Sequence, residues 1–271
     1  MKPPITTLHP GSIAAIGVCL CLAAPAAFGQ AFDAVRLFSG AAGTDGGLVG
    51  AALIAGTEYK GSDERRTTLW PVLDYQWRNG WFAGTGNGVG YNFSARPDLQ
   101  YGLRLTADFG RDEGRSAALA GMGDIDPKPE FGGFLNYFVS RQAFLTSSLR
   151  YGAGNDADGL QIDLGAGYQL PLSRHAQVTL GVAGTWVNEA SMRSFFGVNA
   201  AQAAASGYPI YQPEAGVRDL RLNAALSYEL GSRTRLSAGV SVNRLMDEAR
   251  ESPVVRRSTT TSGVVTLLYG F

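Results

Sequence analysis

The sequence predicts an all-β fold: a transmembrane antiparallel β-barrel of about 12 strands, with 10 as the alternative, behind a cleaved signal peptide. Three observations predict it. From Gly46 onward, apolar and polar residues alternate with a period of two in run after run. Aromatic residues collect at the ends of those runs. The chain also stops on Phe271, inside such a run and with no polar tail. Terminal residues fray unless structure holds them, so this ending predicts a final strand that faces an apolar medium.

The first segment is an export signal in outline. Lys2 is the only Lys, Arg, Asp or Glu before Asp33. An apolar stretch, Ile13 to Ala24, is followed by Pro25-Ala26-Ala27-Phe28-Gly29-Gln30. A basic start, a short apolar middle and small residues at the cut are the parts of a secretory signal. The middle falls short of the roughly 20 residues that span a bilayer. The cut is placed after Gly29, an uncleaved anchor being the alternative. Val18 and Leu20 precede the two cysteines, and neither is the small residue that a lipoprotein signal needs.

Processing at that point removes both cysteines, Cys19 and Cys21, and leaves His175 as the only histidine. An exported chain without cysteine forms no disulfide and has no thiolate for metal binding or catalysis. The 23 basic and 23 acidic residues give no basic field for nucleic acid. No later apolar run is long enough for a transmembrane helix. The 36 glycines are interleaved with aromatics, which is neither a collagen period nor a linker.

The strands follow in order. Leu69, Pro71, Leu73, Tyr75 and Trp77 share one face; Tyr101, Leu103, Leu105, Ala107 and Phe109 another. Ile162 to Tyr168, Val178 to Trp186, Leu220 to Tyr228 and Leu236 to Val242 repeat the pattern. Alternation places each set on one side of a strand. The runs are about 10 residues long, the length of tilted membrane strands, whereas strands of soluble sandwiches are shorter. Aromatic ends, such as Tyr75, Trp77, Tyr168, Trp186, Tyr228 and Tyr269, match interfacial girdles. In the last strand, Val265, Leu267, Tyr269 and Phe271 form an apolar face with a terminal aromatic. That face resembles the signal read by the outer-membrane assembly machinery.

Connections alternate as well. Tight turns fall at 78–80, 140–141, 171–174 and 231–233; long links fall at 110–127, 152–158, 188–217 and 247–256. Short turns on one side and long loops on the other are the barrel pattern. Eleven strands are clear in this reading, but bacterial barrels close with an even number. The doubtful region is Gly84 to Gly90, where glycine occupies every second position. It is either one kinked strand or a hairpin turning at Gly86-Asn87-Gly88. No helix pattern follows, which excludes a phosphate-binding loop. In the link 188–217, the segment 199–206 is a helix former with Asn199 as N-cap, stopped by Gly207 and Pro209. Phe195, Phe196, Tyr208 and Tyr211 flank it. The loop either binds a partner or covers the pore, or is a cap that only packs on the barrel rim.

Short motifs in a fixed order resemble one family. Tyr59-Lys60-Gly61-Ser62-Asp63 leads into Pro71-Val72-Leu73-Asp74-Tyr75. Gly88-Val89-Gly90-Tyr91-Asn92, Gly110-Arg111 and Gly121-Met122-Gly123-Asp124-Ile125 follow. Then come Phe195-Phe196-Gly197-Val198, Ser206-Gly207, Tyr211 and Ser252-Pro253, with Phe195 where the family has tyrosine. Together they resemble the MipA/OmpV family, the MltA-interacting outer-membrane proteins. The resemblance implies a scaffold linking a murein lytic transglycosylase to a murein synthase. Other members are treated as porin-like or adhesive. It implies no catalytic residue and no cofactor.

The residues themselves support no enzyme. His175 lies beside a tight turn, and no Gly-x-Ser-x-Gly elbow occurs. A narrow, weakly selective channel is the alternative function. Its inward face would hold Asp74, Arg78, Arg104, Asp108, Arg150, Asp163, Arg221, Glu229 and Arg235, with signs mixed. A scaffold needs surface in the periplasm; the segment before the first strand would offer it through Phe32, Val35, Leu37 and Phe38, docking of that segment onto the barrel's own rim being the equal alternative. The expected organisation is a signal peptide at 1–29, a periplasmic segment at 30–45 and the barrel at 46–271, embedded in lipid in the outer membrane.

Overall fold

The computed structural model describes residues 44–271, which form a closed barrel of twelve antiparallel strands. The signal segment and the candidate contacts Phe32, Leu37 and Phe38 lie outside the described residues. The strands are β1 (Gly46–Thr57), β2 (Arg65–Gln76), β3 (Trp81–Gly84), β4 (Gly88–Asn92), β5 (Leu99–Asp108) and β6 (Lys128–Phe138). Then come β7 (Ala143–Ala153), β8 (Gly159–Pro171), β9 (Ala176–Val187), β10 (Gly216–Glu229), β11 (Thr234–Leu245) and β12 (Thr259–Gly270). Each pairs with the next in sequence, and β12 returns to β1. Among the described residues three α-helices sit in loops: α1 (Glu189–Phe196), α2 (Ala200–Ser206) and α3 (Asp247–Glu251).

The alternation read from the sequence becomes an inside-out protein. Outward residues are apolar and bare: Leu69 is 70% exposed, Leu222 63% and Leu164 61%. Inward residues are polar and buried, among them Gln100, Arg104, Asn136, Asp163 and Arg221. A water-soluble sandwich would reverse this order. In lipid it is the stable one, because apolar side chains face the acyl chains while neighbouring strands satisfy one another's backbone groups. Among the described residues no helix is long and apolar enough to cross a membrane; the strands do the crossing. This barrel belongs in the outer membrane.

The doubtful glycine region is a hairpin. β3 and β4 pair from Trp81↔Tyr91 to Gly84↔Gly88, with Thr85 to Asn87 at the tip. It turns back early because the chain reverses at Gly88, which holds a left-handed φ of 73° that glycine adopts without steric cost. Both short strands count, which makes the number even.

Aromatics gather at the short-turn end. Tyr75 packs edge-on to Trp77 with ring centres 4.9 Å apart, Trp81 to Tyr91 at 5.4 Å and Tyr91 to Phe93 at 5.2 Å. Their rings are amphipathic and suit the lipid headgroup level. Phe271 follows β12 and still exchanges two backbone bonds with Gly47, each 3.1 Å. Its ring stacks on Tyr75 at 6.0 Å. The last residue thus joins the girdle at the seam where the barrel closes.

Candidate functional site

The inward faces of β6 to β10 carry one closed network. Arg150 lies 3.4 Å from Glu130 and 2.9 Å from Asp163. Asp163 also receives Arg221 at 2.9 Å, and Arg221 lies 3.2 Å from Asp219. Asp219 receives Arg218 Nε at 2.6 Å, and Arg218 Nη1 donates to Gln161 Oε1 at 2.8 Å. Gln161 Nε2 donates to Glu130 Oε1 at 3.2 Å and completes the ring. Thr185 on β9 donates to Asp163 Oδ1 at 2.7 Å. Removing these charges from water is costly, and only mutual pairing with full hydrogen bonding offsets it. Each of the three carboxylates is held by at least one arginine, and Asp163 and Asp219 by two each.

Of the residues expected on the inward face, Arg104, Arg150, Asp163 and Arg221 point into the lumen and are mostly buried. Arg104 donates to Ser148 Oγ at 2.7 Å. Asp74 accepts from Asn87 Nδ2 at 2.9 Å, which ties the β3–β4 tip to β2. Asp108 lies at the upper end of β5, where it accepts from the Gly110 amide at 3.2 Å. Glu229 and Arg235 face each other at the opposite rim, 3.5 Å apart and half exposed. Arg78 is a correction. β2 ends at Gln76, so Arg78 lies in the turn and its side chain, 76% exposed, pairs with Asp45.

Sequence reading missed Glu130, Gln161, Arg218 and Asp219. Three of them follow from parity alone, since they share a face with Arg150 neighbours across the ladder. Arg218 does not. A β-bulge between Val217 and Asp219 inserts one extra residue against β9. The bulge turns two consecutive side chains inward, and Arg218 enters the network next to Asp219. Strict alternation assigns it to lipid.

The long loops fold into a cap over the same end. Val187, Met192, Phe196, Leu245 and Ala249 form one buried cluster, with Phe195 packed against it. Met122, Val198 and Val254 form another, joined by Tyr208 and Tyr211. Hydrogen bonds between loops lock the clusters together. The Tyr208 hydroxyl donates to the Ala118 carbonyl at 3.0 Å, that of Tyr211 to Glu248 at 2.8 Å and that of Tyr59 to Val254 at 2.9 Å. Arg111 Nη1 donates to the Phe195 carbonyl at 2.9 Å. Burial pushes the Tyr59 hydroxyl up to about 12 and lowers Arg111 to about 10. The helix expected at 199–206 is α2, with Asn199 and Gln202 in a reciprocal capping box and Gly207 at φ 78° beyond its end. Phe195, Phe196, Tyr208 and Tyr211 are thus inside the cap.

Lys60 hangs beneath it. Its Nζ lies 5.4 Å from the Phe195 ring centre. Burial, then the positive charge of Arg218, lowers its pKa to about 8.

The other end is open. A cavity of about 390 Å³ is lined by Thr44, Asp45, Leu48, Asp74, Glu229, Arg233, Arg235 and Leu268, among others. Val265, Leu267, Tyr269 and Phe271 lie on the outer surface nearby, 46–60% exposed. His175 sits in the β8–β9 turn, its amide on Ser173 Oγ at 3.2 Å. Among the described residues no group of three or more His, Cys, Asp or Glu could hold a metal ion.

The family profile described as MltA-interacting protein MipA matches residues 49–271, from within β1 to the end of the closing strand. The chain belongs to the MipA family. Within that MipA barrel, the matched region includes the network, the cap and the closing strand. Solved structures are similar to it at low identity and low structural score. The NanC porin is 10% identical with a TM-score of 0.48, covering 81% of this chain and 98% of that one. The KdgM porin is 10% identical with a TM-score of 0.43, covering 83% and 99%. The outer membrane channel DcaP of Acinetobacter baumannii is 10% identical with a TM-score of 0.39, covering 84% and 96%. No curated protein matches the chain.

Proposed function

We infer that this MipA-family barrel is a scaffold that holds a murein lytic transglycosylase and a murein synthase at the inner face of the outer membrane. The family's description as MltA-interacting protein carries the reading. The molecule's two ends support it. Long loops mark the outer side of such barrels and short turns the periplasmic side. The outer end is covered by the cap, whereas the short-turn end offers a cavity with Asp45, Asp74 and Glu229 beside Arg233 and Arg235. Thr44, the first described residue, lines that cavity; in this reading the segment 30–45, with Phe32, Leu37 and Phe38, makes the contact with the periplasmic enzymes. In this reading residues 1–29 are removed on export. Deleting 31–40 from an assembled barrel is expected to reduce capture of both enzymes in pull-downs. Unchanged capture would remove the segment from the contact.

A channel is the second reading, and one observation favours it. Beside the charged network, several inward positions of β9, β11 and β12 are small: Gly181, Ala183, Ser237, Gly239, Ser241, Ser262 and Thr266. Small side chains leave room along that wall. Refolded residues 30–271 in a planar bilayer test it. Discrete conductance steps support the channel; a folded, inserted and silent barrel opposes it.

A further inference from the structure

Two arginines stand on the face that is otherwise apolar. Strand by strand, the outward positions hold apolar, small or hydroxyl residues. Among the described residues the charged exceptions are Arg65 at the start of β2 and Arg244 near the end of β11. Arg65 shares its parity with the lipid-facing Leu69 and Leu73, and Arg244 with Val240 and Val242. Both lie at the long-loop end. From Tyr75 in the short-turn girdle up to Arg65, β2 climbs roughly 25 Å, at about 3.3 Å per residue and a tilt of about 40°. That is the height of the apolar band, so the charge sits at the headgroup level of the outer leaflet.

The two side chains converge on β12. The ladder between β1 and β12 ends at Ala55↔Gly263. Just above, the Thr261 carbonyl accepts from Arg65 Nη1 at 2.6 Å, so the guanidinium lies across the seam. On the other side of β12, Arg244 is registered with Thr259 and Val242 with Thr261. One strand spacing and two residues of rise separate Arg244 from Thr261, roughly 8 Å. A single phosphate group can bridge that distance. Among the described residues Arg244 makes no hydrogen bond or ion pair. Thr67, Thr259 and Thr261 are exposed beside the pair, and so is Arg257, which precedes β12.

The acids of this region occupy other positions. Glu58 is paired with Arg66, 3.5 Å away on the inward side. Glu251 pairs with Arg250 at 3.7 Å, and Glu248 accepts from the Glu214 amide. Asp63 and Glu64 lie in the loop before Arg65, and Asp247 opens α3 beyond Leu245. These three are exposed, and among the described residues none forms an ion pair with Arg65, Arg244 or Arg257. On the lipid face itself, only positive charge is present. The rest of this rim is built differently. Phe131 on β6, Tyr151 on β7 and Trp186 on β9 are exposed at the same end. Aromatics hold the interface there, whereas arginine and threonine hold it from β11 to β2.

We propose that the outer surface from β11 across β12 and β1 to β2 binds one phosphate-bearing lipid of the outer leaflet. Arg244 and Arg65 meet the phosphate from the two sides of β12, and the hydroxyls of Thr259 and Thr261 donate to it. Guanidinium matches phosphate as a charge-assisted, two-pronged donor. A choline headgroup brings its own cation and loses that advantage. Below the headgroup, Ala55 and Gly263 form a low step between Leu53 and Val265, where an acyl chain can lie close to the wall. The site is on the outer surface and does not depend on the scaffold reading.

The test mixes the full mature barrel in detergent with equal amounts of dioleoyl phosphatidic acid and dioleoyl phosphatidylcholine, and counts retained lipid by native mass spectrometry. One phosphatidic acid per barrel is expected, preferred about tenfold over phosphatidylcholine. Arg65→Gln combined with Arg244→Gln should bring the two lipids to parity in protein that still shows the folded, heat-modifiable band. Each single variant should lower the preference about threefold, which keeps the test open if the pair does not fold. Arg78→Gln, at the opposite rim, should leave the preference unchanged. Excess inorganic phosphate should not remove the lipid. Displacement by it would assign the arginines to a soluble anion and overturn the lipid site. No preference for phosphatidic acid, an unchanged preference in the folded variants, or an equal loss in Arg78→Gln would also overturn the proposal.

Discussion

Arg221 on β10 reaches past β9 to Asp163 on β8, with Nη2 2.9 Å from Oδ1. Thr185 of β9 lies between them and bonds to both, accepting from Arg221 at 2.6 Å and donating to Asp163 at 2.7 Å. Three consecutive strands are thereby fastened from inside. Asp163 also holds Arg150, so, like Asp219, it is a carboxylate on which two buried guanidiniums depend. Asp163→Ala is expected to destabilise the barrel by about 3–5 kcal/mol, because an uncompensated buried charge remains. Urea unfolding of refolded protein measures this. A change below about 1 kcal/mol would show that water already screens the network.

A second expectation concerns closure. Phe271 contributes two backbone bonds to Gly47 and a stacked ring on Tyr75. Deleting Phe271 removes all three at the seam that joins the first and last strands. Assembled, heat-modifiable protein in the outer membrane should fall several-fold, read by immunoblot of unheated samples. Normal levels would show that Val265, Leu267 and Tyr269 suffice for assembly.

Gly121 tests whether the cap is one unit. It holds φ 80°, and a Cβ there would lie 2.7 Å from the Ala205 carbonyl carbon of α2. A side chain meets both backbone strain and a clash. Gly121→Val should separate the 109–127 loop from α2 and cost about 1–3 kcal/mol locally. Limited proteolysis should cut both loops faster while the strands stay protected. If the channel reading holds, conductance should rise in the same variant.

Much of this molecule was legible in the sequence because one force writes both patterns. Lipid outside and polar lumen inside impose a period of two, so Leu220 to Tyr228 announced its lipid face directly. The long loops, the capped helix after Asn199 and the closing role of Phe271 were legible for similar local reasons. Arg218 was not, because a bulge breaks the period where the network needs an extra arginine. Arg78 misled for the opposite reason: its parity was right, but the strand had already ended. The short β3–β4 hairpin was half visible in Gly84 to Gly90. Sequence showed that side chains were missing there, but not that two strands stopped short of their neighbours.

Lys60 yields a prediction in pH. Its ammonium lies under the cap with Arg218, Asp219, Asp108 and Arg150 around it, and burial lowers its pKa from 10.5 to about 8. Between those values the unfolded chain binds more protons than the folded one. Stability therefore rises with pH across the window from about 8 to 10.5. The contribution is complete above the unfolded value and is lost as pH falls through the folded one. Lys60→Met keeps the apolar stem near Phe195 and removes the titrating group. The difference in unfolding free energy between the two proteins should slope with pH across this window and be flat below it. Taking the difference cancels the tyrosines and arginines common to both. A flat difference across the whole range would place the ammonium in contact with water.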